Sequence, residues 1–188
     1  MTKYRTIVAD PPWPYTGEGA PGASAPTKSG RMSNSAKLPY GTMKIPEICG
    51  LRPAAEDDAH LYLWTTNRFM DEAYDVARAW GFTPKTILTW TKTYVDDPSR
   101  VSMKVGYYFR GATEHCLFAV RGSLRTQVNN LPTAYLWPRL PHSVKPDAFY
   151  DLVEQASPGP YLELFARRAR FGWDYWGDQS LGTAEMAA

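Results

Sequence analysis

The residues best suited to chemistry stand near the start of the chain, in Asp10-Pro11-Pro12-Trp13. Proline carries no backbone N–H, and each proline holds the residue before it extended. A turn of this composition presents acceptors: the Asp10 carboxylate and the carbonyls of residues 10 to 12. Trp13 adds a broad apolar plate beside them. A flat ring bearing an exocyclic amine matches that arrangement, because the amine donates two hydrogen bonds while the ring stacks on an aromatic face. Adenine is such a ring. The same four residues also read as an ordinary strand-ending Pro-Pro turn, and the motif alone leaves both readings open.

The elements that must position this turn alternate along the chain. Tyr4 to Ala9 has the β-branched and apolar content of a short buried strand, and the prolines stop it. A short helix is expected at 45–51, opened by Ile45-Pro46-Glu47. His60 to Thr65 reads as a strand, and Arg68 to Trp80 as a helix ended by Gly81. Thr86–Thr91 and His115–Val120 read as strands, and Ala134–Trp137 as a short one. Asp147–Gln155 reads as a helix behind Pro146, and Tyr161–Ala166 and Trp173–Trp176 close the series. Such alternation predicts an α/β domain with a mainly parallel sheet, whose ligands bind outside the carboxyl ends of the strands, where Asp10 falls. One domain over residues 1–180 is expected, with a frayed tail over 181–188.

Three connections are long. Residues 14–37 are rich in Gly, Ala, Ser, Pro and Thr. Residues 92–112 interleave Lys92, Arg100, Lys104 and Arg110 with Tyr94, Tyr107, Tyr108 and Phe109, and residues 121–141 hold Arg121, Arg125, two Asn and several Pro. Loops of this length are usually lids, binding loops or disordered segments. Arg100, Lys104, Arg110 and His142 are the candidates for contact with a nucleic acid. The second loop is expected to move until substrate binds.

Composition narrows the field further. The 44% hydrophobic and 21% charged content is that of a soluble globular protein, and no apolar run reaches membrane-spanning length. The N-terminus shows no secretory pattern, so the cytoplasm is the expected compartment. Cys49 and Cys116 make no disulfide framework, and His60, His115 and His142 show no metal-ligand spacing. No structural metal is expected. Glu114-His115-Cys116 is read as strand geometry rather than a thiol and its base, since sequence neighbours on a strand face opposite ways. A net charge of +2 and an isoelectric point near 8.5 permit a nucleic-acid partner without arguing for one. The aromatic content, 14%, suits stacking on bases as well as filling a core.

Taken in order, Asp10-Pro11-Pro12-Trp13, Leu38-Pro39-Tyr40-Gly41-Thr42-Met43, Leu61-Tyr62-Leu63-Trp64, Glu114-His115-Cys116-Leu117, Lys145-Pro146-Asp147, Ser157-Pro158-Gly159 and Leu162-Glu163-Leu164-Phe165 resemble the DPPW-type adenine-N6 methyltransferases. That family includes the catalytic subunit of the messenger-RNA adenosine methyltransferase and many bacterial and phage proteins. The resemblance runs from residue 5 to about 180. It implies a Rossmann-like methyltransferase fold that uses S-adenosylmethionine, with the catalytic motif ahead of the cofactor motif. It further implies that Asp10, Pro11, Pro12 and Trp13 form the catalytic turn and that Tyr40 lines the adenine pocket. On the cofactor side it implies Lys145 near the methionine end, Glu163 and Arg167 as the ribose-side pair, Phe165 in the same motif, and Asp178 and Gln179 by the adenosine.

Bland readings stand beside these. Lys145 also reads as a solvated residue ahead of a helix, Arg167 and Arg170 as surface charges, and Asp178-Gln179 as turn residues. Glu163 is harder to dismiss, because a carboxylate inside Leu-Glu-Leu-Phe takes a place where an apolar residue is expected. The sequence departs from the family at Ala169 and Asp178, where polar and Asn residues are usual, and it carries no Gly-x-Gly-x-x-Gly loop. With no separate recognition domain apparent, specificity is expected from loops or from a second subunit, in a homo- or heterodimer. DNA is the first expectation for the substrate and RNA the second. A nucleic-acid-binding subunit without activity is a rival, opposed by the intact Asp-Pro-Pro-Trp. An ATPase lacks its phosphate loop.

Overall fold

The computed structural model describes residues 2–15, 41–105, 108–141 and 144–177. Tyr40, His142, Asp178, Gln179, the tail after 180 and most of the first long connection lie outside these residues. Seven strands form one sheet in the order β5-β3-β4-β2-β1-β6-β7. These are β1 (Tyr4–Ala9), β2 (Ala55–Thr65), β3 (Thr83–Thr93), β4 (Thr113–Arg121), β5 (Ala134–Pro138), β6 (Tyr161–Leu164) and β7 (Trp173–Trp176). Only β4 runs against the others, slotted between β2 and β3. The expected mainly parallel α/β sheet is the one observed.

Strand alternation sorts the core into two layers. Ile7, Ala9, Leu61, Leu63, Leu117 and Ala119 meet α1 (Ile45–Gly50) and α2 (Met70–Ala79) on one face. Val8, Tyr62, Trp64, Trp90 and Cys116 meet α3 (Asp147–Ala156) on the other, through Phe149, Tyr150, Leu152 and Val153. Gly81 ends α2 with φ 81°, and the Phe82 N–H reaches back to the Ala77 carbonyl, a closure that needs the left-handed residue.

Element boundaries shift where tertiary pairing overrides local preference. Strand β2 begins at Ala55, through an acidic stretch, because β1 pairs with it from Tyr4. Residues 67–69 form a separate 3-10 turn before α2. Strand β6 stops at Leu164 and not Ala166, because Phe165 turns the chain with φ 63°. Described residues of the second long connection hydrogen-bond to the ends of β3 and β4. Ser102 N–H bonds the Lys92 carbonyl at 2.7 Å, Lys92 N–H the Ala112 carbonyl at 2.8 Å, and Lys104 N–H the Gly111 carbonyl at 2.8 Å.

Candidate active site

The sheet carries a row of functional side chains across five neighbouring strands, all at one edge and on the α3 face. The row starts with Lys92 near the end of β3, passes Glu114 at the start of β4 and Trp64 near the end of β2, and reaches Asp10 just past β1 and Glu163 on β6. Register makes this placement necessary. Val8 pairs with Tyr62 on one side and Glu163 on the other, and Trp90 pairs with Glu114. Each site residue thus stands level with, or two residues from, a neighbour on the same face. Glu114 joins the carboxyl ends of the parallel strands only because β4 is antiparallel.

Charges alternate along the row. Lys145, held just ahead of α3 by Pro146, puts Nζ 2.9 Å from Asp10 Oδ2 and 3.4 Å from Glu114 Oε2. Lys92 donates to the other Glu114 oxygen. The Lys145 ammonium also lies 4.9 Å from the centre of the Trp64 ring, and Lys92 lies 4.6 Å from that of Trp90. Burial disfavours the charged form of Lys145, but Asp10 and Glu114 outweigh it and raise its pKa. Burial likewise pushes Glu114 up, and Lys145 and Lys92 together bring it below the usual carboxylate range. For Lys92 burial wins over Glu114, and its pKa falls. The solvated reading of Lys145 is overturned: only 9% of its side chain is exposed.

The turn itself is partly self-satisfied. The Pro12 carbonyl accepts from Met43 N–H at 2.9 Å, and the Pro11 carbonyl accepts from Trp13 N–H at 2.8 Å, which leaves Pro11 one lone pair. Asp10 keeps Oδ1 while Oδ2 faces Lys145. Trp13 departs from the expected open plate. It is 2% exposed, its ring stacks on Phe69 at 5.6 Å, and its Nε1 donates to the Trp64 carbonyl at 3.0 Å. An indole this large is worth more buried against Phe69 than exposed, so Trp13 fixes the turn to β2. Tyr15, 37% exposed, carries aromatic surface beside the turn, its ring edge-on to Phe69.

Glu163 sits one strand from Asp10, buried, and accepts a hydrogen bond from the Tyr150 hydroxyl at 2.7 Å. Burial raises its pKa above the ordinary carboxylate value; the Tyr150 bond works against this and the nearby Asp10 charge with it. A carboxylate has about four acceptor positions, and Tyr150 is the one side-chain donor found for it among the described residues. Its unfilled capacity suits a pair of ligand hydroxyls. Directly beyond, the backbone packs tightly on itself: Phe165 turns at positive φ, and a Cβ on Gly177 would stand 2.6 Å from the Ala166 carbonyl oxygen, so that position admits no side chain. Arg167 follows, half-buried. Arg170 is no free surface charge. It binds Asp151 at 2.7 Å and Glu154 at 2.9 Å on α3. Glu163 could hold vicinal hydroxyls of a ligand, and Lys145 a ligand carboxylate.

Glu114, Lys92, Tyr150 and Tyr15 escaped the sequence reading as site residues. Glu114 stood inside a segment that carries the resemblance, but it was given no role there, and its meaning depended on a strand direction that sequence does not display. His115 faces away from Glu114, between Thr89 and Thr113, and Cys116 is fully buried with its thiol pKa raised by burial, so the strand-geometry reading of that triplet holds. Among the described residues no group of three His, Cys, Asp or Glu could hold a metal ion, and no helix is long and apolar enough to cross a membrane.

Known proteins share this arrangement of sequence. The chain is 32% identical over 187 residues to the Type II methyltransferase M.MunI of a Mycoplasma species, covering 93% of this chain and 77% of that one. It is 31% identical over 188 residues to a putative N(6)-adenosine-methyltransferase MT-A70-like protein of Medicago truncatula, covering 97% of this chain and 27% of the relative. It is 29% identical over 170 residues to the human N(6)-adenosine-methyltransferase catalytic subunit METTL3, covering 89% and 26%. The chain spans about a quarter of the length of the curated N(6)-adenosine-methyltransferases it matches. The MT-A70 family model matches residues 4–179, so this chain belongs to the MT-A70 family of adenine-N6 methyltransferases.

Proposed function

We propose that the protein transfers a methyl group to the exocyclic N6 amine of adenine in DNA. The observation that carries the reading is Asp10, with one oxygen anchored by Lys145 and no partner for the other among the described residues, placed one strand from the buried Glu163. Adenine's amine is a poor nucleophile because its lone pair is delocalised into the ring. Asp10 Oδ1 and the remaining Pro11 lone pair accept its two hydrogens, which favours a pyramidal nitrogen. Positive charge grows on that nitrogen during transfer, and a preorganised carboxylate opposes it. S-adenosylmethionine, on which MT-A70 methyltransferases generally depend, supplies an electrophilic sulfonium methyl when bound. Glu163 holds its ribose, Lys145 its carboxylate end, and Phe165, Arg167, Asp178 and Gln179 the rest of it. Alignment of the two bound reactants provides the remaining rate enhancement. Tyr40 completes the base pocket, which a duplex base reaches only by leaving its stack.

DNA is favoured over RNA because M.MunI, a Type II methyltransferase, is matched over most of its own length. One domain over residues 1–180, with the target chosen by loops or by a second subunit, suffices for this chemistry. Labelled-methyl transfer to DNA and RNA side by side tests the choice: faster labelling of DNA supports it, and label confined to RNA reverses it. Titration calorimetry with S-adenosylmethionine in excess chelator is expected to show binding without metal. Binding that disappears and returns with a divalent ion would overturn the cofactor assignment.

Glu163→Gln separates binding from stability. The folded-state pKa of Glu163 is raised, so this group favours the fold most below its unfolded pKa and loses that contribution as pH rises through the folded value. At neutral pH the charge is a burden in the free protein, and Gln keeps an acceptor for Tyr150. The variant is expected to melt at or above the parent temperature at pH 7 without cofactor. It should bind S-adenosylmethionine roughly 10–100-fold more weakly, the loss expected for hydrogen bonds to a charged group. Calorimetry and melting curves read both, and parent-like affinity would remove Glu163 from the site.

The loop cations give a further test. Arg100 lies over Tyr94 at 4.9 Å and 3.9 Å from Asp97, and Lys104 and Arg110 are exposed. Neutralising all three, with His142 left in place, is expected to flatten the salt dependence of DNA binding by roughly one unit of slope per lost phosphate contact, with cofactor affinity unchanged. An unchanged slope would make the loop a solvated connection.

A further inference from the structure

Described residues of the excursion between β3 and β4 expose apolar side chains. Phe109 is 92% exposed and Val105 96%, with Met103 also exposed and Tyr108 close by. Their neighbours Lys104 and Arg110 are exposed cations, and the two arms are held together by the Lys104 N–H to Gly111 carbonyl bond. Several exposed apolar side chains among exposed cations mark an interaction surface, unlike a single stray residue. The chain leading from it runs to the site: Phe109 stands five positions before Glu114, which shares Lys145 with Asp10. At about 3.5 Å per residue that places Phe109 within roughly 18 Å of Glu114 along the backbone.

We propose that Phe109 is a wedge that enters the base stack of a DNA duplex and fills the space left when the target adenine swings out to Asp10. Lys104 and Arg110 seat the flanking phosphates, which sets a nucleic acid above a protein partner for this tip. Apolar side chains inserted between base steps unstack them, and an extruded base is costly chiefly when it leaves a paired, stacked site. Phe109 is thus a positioning residue for duplex substrate and idle on a single strand. The inference rests on the adenine-N6 reading given above and specifies the form of its substrate.

The test compares the parent with Phe109→Ala and Phe109→Trp on one mixed-sequence DNA fragment. The fragment is offered as duplex, as separated strands, and as duplex with abasic sites in place of a fraction of its thymines. Phe109→Ala is expected to methylate duplex on the order of 10–100-fold more slowly, the effect of losing one aromatic–base stack. It should act on separated strands within about twofold of the parent, and the abasic sites, which leave adenines unpaired, should restore much of its rate. Phe109→Trp should keep the duplex activity. Where 2-aminopurine replaces part of the adenine, the parent should raise its fluorescence on duplex binding and Phe109→Ala should not. Equal loss on duplex and single strands, or none on either, overturns the wedge, as does a parent inert on duplex alone. Equal loss accompanied by dissociation of a dimer in sedimentation assigns the tip to a subunit contact. A parent that labels no DNA at all removes the DNA reading, and the wedge with it.

Discussion

Asp10→Asn is expected to lower kcat for methyl transfer on the order of 10²–10³-fold, the loss seen when one preorganised electrostatic group is removed from a site. The substitution keeps shape but removes the charge that opposes positive charge developing on the amine. It can also turn a donor toward the amine's own hydrogens. The fold should hold, because Asn retains an oxygen for Lys145 and Lys145 retains Glu114 at 3.4 Å. The melting temperature is expected to fall only a few degrees, at about 2–4 °C per kcal/mol for a chain of this size. Single-turnover transfer with melting curves separates chemistry from stability. Near-parent rates in a well-folded variant would make the turn purely structural.

Lys145→Met is the second large effect, and it reaches both stability and activity. Removing the ammonium leaves Asp10 and Glu114 facing each other without their shared partner. Breaking a buried pair this way costs about 3 kcal/mol, the lower end of the usual range, because each carboxylate keeps 21% of its side chain exposed. That corresponds to a melting temperature lower by roughly 6–12 °C at neutral pH. The pH dependence has a fixed sign. The pKa of Glu114 is lowered in the fold, so its stabilisation is present above the unfolded value near 4.3 and is lost as pH falls through the folded value. The raised pKa of Lys145 keeps its contribution intact through neutral pH and loses it only as pH rises through the folded value. Parent and variant should therefore differ most at neutral pH and converge as pH falls through the folded value of Glu114, below its ordinary value of about 4.3. Methyl transfer should fall about 10²-fold, since Asp10 loses the group that orients it. A melting difference that stays constant from pH 4 to pH 7 would show that the ion pairs contribute nothing.

Much of this was legible before any coordinates. The alternation of strands and helices put Asp10 at the carboxyl end of the first strand, and a carboxylate within the apolar Leu162-Glu163-Leu164 run already marked β6 as unusual. What escaped was decided by strand direction and by pairing between distant segments. Glu114 reaches the site because β4 alone is antiparallel, and Lys92 because β3 continues past its apolar stretch to Thr93. Trp13 escaped differently. Its residue type suggested a stacking plate, but Phe69, more than fifty residues away, covers the ring. Lys145 was named through the resemblance, while its own context reads as a solvated helix-leading residue, because its two anionic partners stand 135 and 31 positions back.

The central claim is that Asp10 presents an adenine amine to a methyl donor held beside Glu163. The most direct measurement is mass spectrometry of nucleosides from DNA incubated with the protein and S-adenosylmethionine carrying a deuterated methyl group. The account predicts the label on N6 of deoxyadenosine, and its near disappearance with Asp10→Asn. Label on cytosine, or none on DNA or on RNA treated alike, would contradict it.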